Sequence, residues 1–446
     1  MNSHTRYRRL DQLSRYENLL LLQGPNGPFF RRLALRLTAL GARITKVNFN
    51  GGDSIFYRDD SAVHYRGTNE EWPAFVRHLI FEREIKAVIL FGQWRAMHQT
   101  AISIARELGV KIFVFEEGYA RPWWITLEEG GVNDASALTT VIPKTLPVFP
   151  QIARPERFRF AFSRMALYSL TYFAFGTLAR KRYPHYEHHK PFRPRDTLLW
   201  VRSAYLKAKH HFGEKRTLGS LLDPYGPDFF LVPLQINTDA QIVHASNWTG
   251  NGEFIEATIR SFAQHAASTD MLVFKHHPLE RGHADYASLI RAVAADESVA
   301  QRVLYVQGGH VPSLLKRSKG VVTVNSTAGL QALYHGTPVC VTGTAFYARP
   351  ALVHEFEPDK FWQAPIEPNR SSFTRFYRYM MHTTQINASF YASDDLVPSG
   401  LVRRTMRVAT KLAGSAAVLA VFDSGGAFAT TKLFATWFMR VLQTLN

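Results

Sequence analysis

An alternation of short apolar runs with helically spaced segments constrains this chain more than any other feature. Residues 18–22, 43–49, 87–91 and 111–115 are strand-like, and 29–40, 72–84 and 98–108 between them carry apolar residues at helical spacing. Strand–helix alternation of this kind predicts a parallel sheet whose ligands gather at the C-terminal ends of its strands. A second series starts near Pro227, with strands expected at 229–232, 271–275, 303–306, 320–324 and 338–342. The expected architecture is therefore α/β of the GT-B type: two Rossmann-like domains facing a central cleft, with a helical insert. We expect an N-terminal acceptor domain over 1–150 and a basic aromatic insert and linker over 151–225. A nucleotide-sugar domain over 226–370 and C-terminal helices of uncertain placement over 371–446 complete the division.

Bulk properties narrow the classes. A chain of 446 residues with 46% hydrophobic content can bury full cores without staples. The single cysteine, Cys340, forbids an intramolecular disulfide and fits a reducing compartment. The polar, basic start and the shortness of the 19–22 run read as no secretory signal. No stretch reaches the ~18 apolar residues of a spanning helix, the longest candidate being 412–422. A cytoplasmic protein is expected. The net charge of +17 admits nucleic acid, an anionic membrane or an anionic substrate. No zinc spacing, RNP-like stretch or helix-turn-helix signature supports nucleic acid. Much of the charge is interleaved with aromatics in Arg157-Phe158-Arg159-Phe160, Tyr172-Phe173-Ala174-Phe175 and Arg180-Lys181-Arg182-Tyr183. That mixture suits an anionic lipid interface; a helix packed on its own domain with a solvated basic edge is the plainer reading.

Four stretches could carry chemistry. Asn325-Ser326-Thr327-Ala328-Gly329 follows a strand and opens a helix, so its free N–H groups form either an anion site or an ordinary cap. Lys275-His276-His277-Pro278 ends a strand, where Lys275 and His277 suit a nucleotide phosphate and the alternative is a surface loop. No third ligand at zinc spacing supports a metal there, and no Asp-x-Asp follows a strand, so a metal-independent reaction without a cofactor is expected. Asp59-Asp60 and Asp394-Asp395 read as solvated loops. Glu116-Glu117-Gly118-Tyr119-Ala120-Arg121 sets carboxylates at a strand end. One of them is suited to act as base or nucleophile, or to form an ion pair with Arg121 in a plain turn. Gln23-Gly24-Pro25-Asn26-Gly27-Pro28 lacks the Walker lysine and G-x-G-x-x-G spacing, so ATP and NAD fit poorly. It reads as a tight turn or, with Asp53, the lining of an acceptor pocket.

With these residues assembled, the chain resembles the capsule polysaccharide biosynthesis family, and within it the KpsS-type β-Kdo transferases. The matching stretches are Leu22-Gln23-Gly24-Pro25, Gly27-Pro28-Phe29-Phe30, Asn48-Phe49-Asn50-Gly51-Gly52-Asp53, and Phe115-Glu116-Glu117-Gly118-Tyr119 with Arg121-Pro122 and Trp124-Ile125-Thr126. They continue in order through Pro233-Leu234-Gln235, Lys275-His276-His277-Pro278 and Asn325-Ser326-Thr327 with Gly329-Leu330. The resemblance implies a GT-B fold, CMP-Kdo as donor, a phosphatidylglycerol-type anionic lipid as acceptor and retention of configuration. It also implies an inner-membrane surface and other capsule assembly proteins as partners. Glu117 stands where related β-Kdo transferases have an attacking aspartate, and His277 with Pro278 match the CMP-binding pair. Lys275, Asn325, Ser326 and Thr327 then hold the departing nucleotide, and Arg121 holds the sugar carboxylate or orients Glu117. A transferase using another nucleotide-sugar, an epimerase of the same shape and a non-enzymatic, membrane-docked assembly or export factor remain rivals.

Overall fold

The computed structural model describes residues 6–188, 202–203, 205–207, 209–210, 213–237, 242, 245–354 and 358–397. The apolar stretch 412–422, Pro191 and Pro194 of the insert, and the tail after 397 lie outside the described residues. Two compact units divide the chain. One is formed by Met1–Gly130, Arg154–Pro191 and Gln385–Asn446, the other by Gly131–Ala153 and Phe192–Thr384.

The first unit is built on a seven-stranded sheet. Its strands are β1 (Asn18–Leu21), β2 (Arg43–Asn48), β3 (Ala62–His64), β4 (Ala87–Phe91), β5 (Lys111–Glu117), β6 (Trp124–Glu129) and a distant β12 (Gln385–Asn387), in the order β12-β6-β5-β4-β1-β2-β3. Helices α1 (Phe29–Ala39), α2 (Gly51–Phe56), α3 (Trp72–Glu82) and α4 (Ala96–Glu107) follow or connect the parallel strands. Leu19, Leu20, Leu21, Val88, Ile89 and Leu90 are wholly buried, which accounts for their unbroken apolar runs: a strand covered on both faces need not alternate.

One expectation changes here. The sheet is not wholly parallel, because β5 turns back through 118–123 and pairs antiparallel with β6, Glu117 opposite Ile125, and β12 adds antiparallel to β6. Gly118 permits that return, since a Cβ on it would strike the Trp124 carbonyl. Asn50-Gly51-Gly52-Asp53 opens a helix after β2. Asn50 caps α2 by accepting from the Asp53 amide at 2.9 Å, and both glycines lie inside the helix.

The glycines matter because of a fifth helix, α5 (Ala161–Leu178), from the basic aromatic segment. A Cβ on Gly51 would overlap the Phe175 carbonyl, and one on Gly52 would lie 2.6 Å from the Tyr172 carbonyl. The two helices therefore meet backbone to backbone. The acidic pairs read as solvated are also engaged. Asp394 accepts from Arg32 and from Arg164 of α5, Asp395 accepts from Arg6 and the Tyr7 hydroxyl, and Asp59 pairs with Arg31. The sequence hides the Asp394 and Asp395 pairs because their partners lie hundreds of residues away.

The second unit carries a five-stranded, all-parallel sheet in the order β11-β10-β7-β8-β9. Its strands are β7 (Phe229–Pro233), β8 (Met271–Lys275), β9 (Val303–Val306), β10 (Gly320–Thr323) and β11 (Val339–Val341). Helices α6 (Lys215–Leu222), α7 (Asn251–His265), α8 (Ala287–Asp296), α9 (Val311–Arg317) and α10 (Thr327–His335) surround it. Phe230, Phe254, Phe262, Phe274 and Trp362 fill its core, and Cys340 is buried on β11. Two Rossmann-like α/β units are thus present, as expected.

Gly51→Val would force α2 off α5. We expect a loss of roughly 1–3 kcal/mol in chemical denaturation, as for other overpacked contacts, whereas Gly109→Ala, where a Cβ meets nothing within 4 Å, should cost less despite its positive φ.

Candidate active site

In the first unit the polar candidates stand along one edge of the sheet, at the C-terminal ends of β1, β2, β4 and β5. Gln23, only 4% exposed, lies at the centre. Its amide nitrogen is 3.2 Å from Asp53 and 2.8 Å from the hydroxyls of both Tyr172 and Tyr186, while its oxygen accepts from Arg95 at 2.7 Å. Asp53 also accepts from the Phe49 amide at 2.9 Å, and Asn50 donates to Tyr172 at 2.6 Å. Buried polar groups must be paired or they cost desolvation energy; here each one finds its partner across α5. Gln23 and Asp53, taken from sequence as pocket lining, are thus brought together and fastened to Tyr172 of α5. Asn26 joins them on α5 through Ser169 at 3.4 Å, and Gly24 lies flat against the Phe30 ring.

Lys46 was missed by the sequence reading. It is 3% exposed, donates to its neighbour's carbonyl at Val47 and lies 5.9 Å from the Tyr57 ring. Burial pushes its pKa down to about 8, against the pull of the nearby Asp53 carboxylate. Together with Gly24, Asp53, Tyr57 and Tyr172 it lines a cavity of about 20 Å³. That is room for a water, not a sugar.

Glu117 ends β5. Burial raises its carboxyl above the ordinary range, and the Arg121 guanidinium pulls it partly back. Arg121 itself is exposed and donates weakly to the Gly118 carbonyl at 3.4 Å. The neighbouring Glu116 is held differently, accepting from the Glu117 amide at 3.0 Å. Adjacent residues of a strand face opposite ways, so the two glutamates have distinct surroundings. Tyr391, from the far end of the chain, feels both carboxylates and the Arg95 charge. Arg95 is the residue this edge most conspicuously adds. The rule that ligands meet strand C-termini could have found it just past β4; Tyr172, Tyr186 and Tyr391 arrive from remote segments and leave no local signal.

In the second unit β8 delivers Lys275, whose ammonium donates to the carbonyls of His276 at 2.9 Å and Gln307 at 3.0 Å. Arg281 donates to the same Gln307 carbonyl at 2.8 Å. The Glu214 carboxylate anchors this loop from the other side, accepting from the Gln307 and Gly308 amides and from His210. Burial, helped by the Arg281 charge, lowers Lys275 to about 8. His276 is wholly buried, shares a 2.7 Å hydrogen bond with the Tyr305 hydroxyl and is brought down to about 4 by burial and by Lys275 and Arg281. It is therefore neutral at pH 7. His277 is half-buried, its Nδ1 accepting from the Leu279 amide, and Pro278 is exposed.

Gln235, just past β7, grips Asn325 twice, donating to its side-chain oxygen at 2.9 Å and accepting from its amide at 3.1 Å. Ser326 caps α10 by accepting from Ala328 at 3.2 Å, and Thr327 is the first helical residue. Tyr347 donates to the Ser326 carbonyl and fills the space beside Gly329. The strand ends of β8, β7 and β10 thus carry Lys275, Gln235 and Asn325–Thr327 side by side. No group of three or more His, Cys, Asp or Glu residues able to hold a metal occurs among the described residues.

The profile of the capsule polysaccharide biosynthesis protein family matches residues 86–391, and the chain belongs to that family. It is 35% identical over 375 residues to the capsule polysaccharide export protein KpsS of Escherichia coli, covering 83% of this chain and 96% of that one. It is 35% identical over 386 residues to the capsule polysaccharide modification protein LipB of Neisseria meningitidis serogroup B, covering 84% and 92%. A solved structure, the beta Kdo 2,7 transferase KpsC of Thermosulfurimonas dismutans, is 15% identical, with 81% of this chain and 89% of that one covered and a TM-score of 0.40. An overlap of that size carries no functional weight.

Lys46 supplies a stability signature. Its folded pKa of about 8 lies below the unfolded value near ~10.4, so between these pH values the unfolded lysine binds more protons and the contribution of Lys46 to stability rises with pH. Lys46→Met should lower the change in stability from pH 8 to pH 10 relative to wild type in denaturation curves, by the share that Lys46 contributes.

Proposed function

We propose that this protein is a retaining glycosyltransferase. It moves Kdo from CMP-Kdo to a phosphatidylglycerol-type lipid and so begins the lipid-linked end of a capsule polysaccharide. The observation that carries the reading is Glu117: a carboxylate drawn partly out of water, at the C-terminal end of a strand, in a chain of the capsule polysaccharide biosynthesis family.

In this reading a Glu117 oxygen attacks C2 of the sugar. The bond from C2 to the phosphate oxygen breaks, and CMP leaves with the electron pair. The lipid hydroxyl then attacks C2, the bond to Glu117 breaks, and the hydroxyl proton passes to solvent. Two displacements at one carbon restore the starting configuration. Desolvation makes the Glu117 carboxylate a stronger nucleophile, and Arg121 favours its ionised form against the burial that raises its pKa. In this reading the nucleotide is met by the amides opening α10 at Ser326 and Thr327, with Asn325, and by the strand-end cluster of Lys275, His277 and Pro278. The reaction calls for no metal or cofactor. It takes place at the cytoplasmic face of the inner membrane, where the protein is peripheral and works beside other capsule assembly proteins.

The name of the Escherichia coli relative favours a second reading, an export factor without chemistry. Turnover separates the two. Purified protein, CMP-Kdo generated in situ and a fluorescent phosphatidylglycerol analogue should yield a product heavier by one Kdo, and Glu117→Gln should yield none while unfolding at no lower temperature. Normal turnover by Glu117→Gln would overturn the nucleophile. No product together with no CMP binding by calorimetry would point to another donor or to the export reading.

The pH profile tests the local charges. Arg121 lowers the Glu117 pKa, so removing it lets that pKa climb further. Arg121→Gln should move the acid limb of the rate profile to higher pH. An unmoved limb would mean that Arg121 does not act through Glu117.

A further inference from the structure

Helix α5 breaks the pattern expected of a surface helix. Such a helix turns an apolar stripe inward and charged residues outward. In Ala161–Leu178 Arg164 is the sole charged residue, and it is directed at Asp394 with a 2.6 Å ion pair. Tyr168, Tyr172 and Phe175 face Gly27, Gly52 and Gly51 on the inner side. The outward side is left with Phe162, Ser163, Ala166, Leu167, Leu170, Ala174, Thr177 and Leu178. Exposure reaches 56% at Phe162, 46% at Leu167, 39% at Leu170 and 65% at Leu178, and Phe160 at the helix entry is 59% exposed. From Phe162 to Leu178 these residues sit at helical spacing on one face, so, broken only by Ser163 and Thr177, they form an apolar stripe about 24 Å long.

Both ends of the stripe are basic. Arg154, Arg157 and Arg159 precede the helix, Arg180, Lys181 and Arg182 follow it, and all six are exposed. Glu156, the acidic residue among them, is taken up by Arg6. No described helix is long and apolar enough to cross a membrane. An uncharged stripe framed by cations matches a surface that is apolar below and anionic above.

We propose that the outer face of α5 lies in the plane of an anionic lipid bilayer, with Phe162, Leu167, Leu170 and Leu178 entering the acyl boundary and the flanking arginines and lysine meeting phosphate headgroups. Because the inner face of the same helix holds Tyr172 against Gln23, Asn50 and Asp53, docking fixes the C-terminal edge of the first unit's sheet at the bilayer. This deepens the lipid side of the proposed reaction and stands whichever sugar is moved.

The test is sedimentation of the full chain with phosphatidylcholine vesicles, with and without phosphatidylglycerol, at low and high salt. Wild type should bind only the anionic vesicles, and salt should weaken it. Leu167→Gln/Leu170→Gln/Leu178→Gln should lower the partition constant at least about tenfold, through lost apolar burial. Arg159→Gln/Arg180→Gln/Lys181→Gln should lower it by about a hundredfold at low salt, and by less at high salt. These side chains are exposed, so thermal unfolding should stay unchanged. Turnover of a short-chain, water-soluble acceptor should survive both variants while turnover of vesicle lipid falls, which separates failed docking from failed chemistry. Equal binding by wild type and the leucine variant would overturn the proposal. So would no vesicle binding by wild type with the stripe buried in a protein oligomer.

Discussion

The contact between two bare glycines and the backbone of α5 is the constraint on which the first unit's edge depends. Because Gly51 and Gly52 carry no side chains, α5 approaches closely enough for the Tyr172 hydroxyl to reach Asn50, Gln23 and Asp53. Without that approach, Gln23, Asn50 and Asp53 would each lose the Tyr172 hydroxyl, a net loss of about 0.5–1.5 kcal/mol per hydrogen bond. Arg95 would also lose the orientation of the Gln23 oxygen it binds. A steric permission at two positions thus sets the electrostatics of a whole strand edge.

The second unit solves a comparable problem with charge. Lys275 and Arg281 are drawn in beside each other, and each alone would be costly to bury. They converge on one backbone carbonyl, at Gln307, while Glu214 takes the amides of that same loop. Its dipoles are thus gripped at both ends. The neutral His276 follows from this arrangement: two neighbouring cations and full burial leave no room for a third charge.

The strands and helices of both sheets were legible because buried parallel strands read as apolar runs and their connecting helices carry helical spacing. The strand-end motifs were legible for the same reason, as topology says where to look. What escaped was everything decided at long range. The antiparallel return through Gly118 looked like a loop carrying carboxylates, since nothing in 124–129 announces its partner. Asp394 and Asp395 looked solvated because Arg6, Arg32 and Arg164 lie far off in sequence. Gly51-Gly52 gave no sign of a helix crossing, because adjacent glycines far more often mark a turn. Lys46 stood in a strand with no hint that both sides of it would close.

The first unit's discontinuity bears on the order in which the protein is made. Strand β12 pairs with β6, and Asp395 takes Arg6 and Tyr7, across nearly the whole chain. On the ribosome the N-terminal sheet must therefore wait, its β6 edge unpaired, until the intervening unit has been synthesised through Thr384. Every strand of that intervening unit emerges before β12, so it is free to fold first. The segment born first is among the last to be secured, and an arrested nascent chain ending before residue 385 would carry an open, aggregation-prone strand.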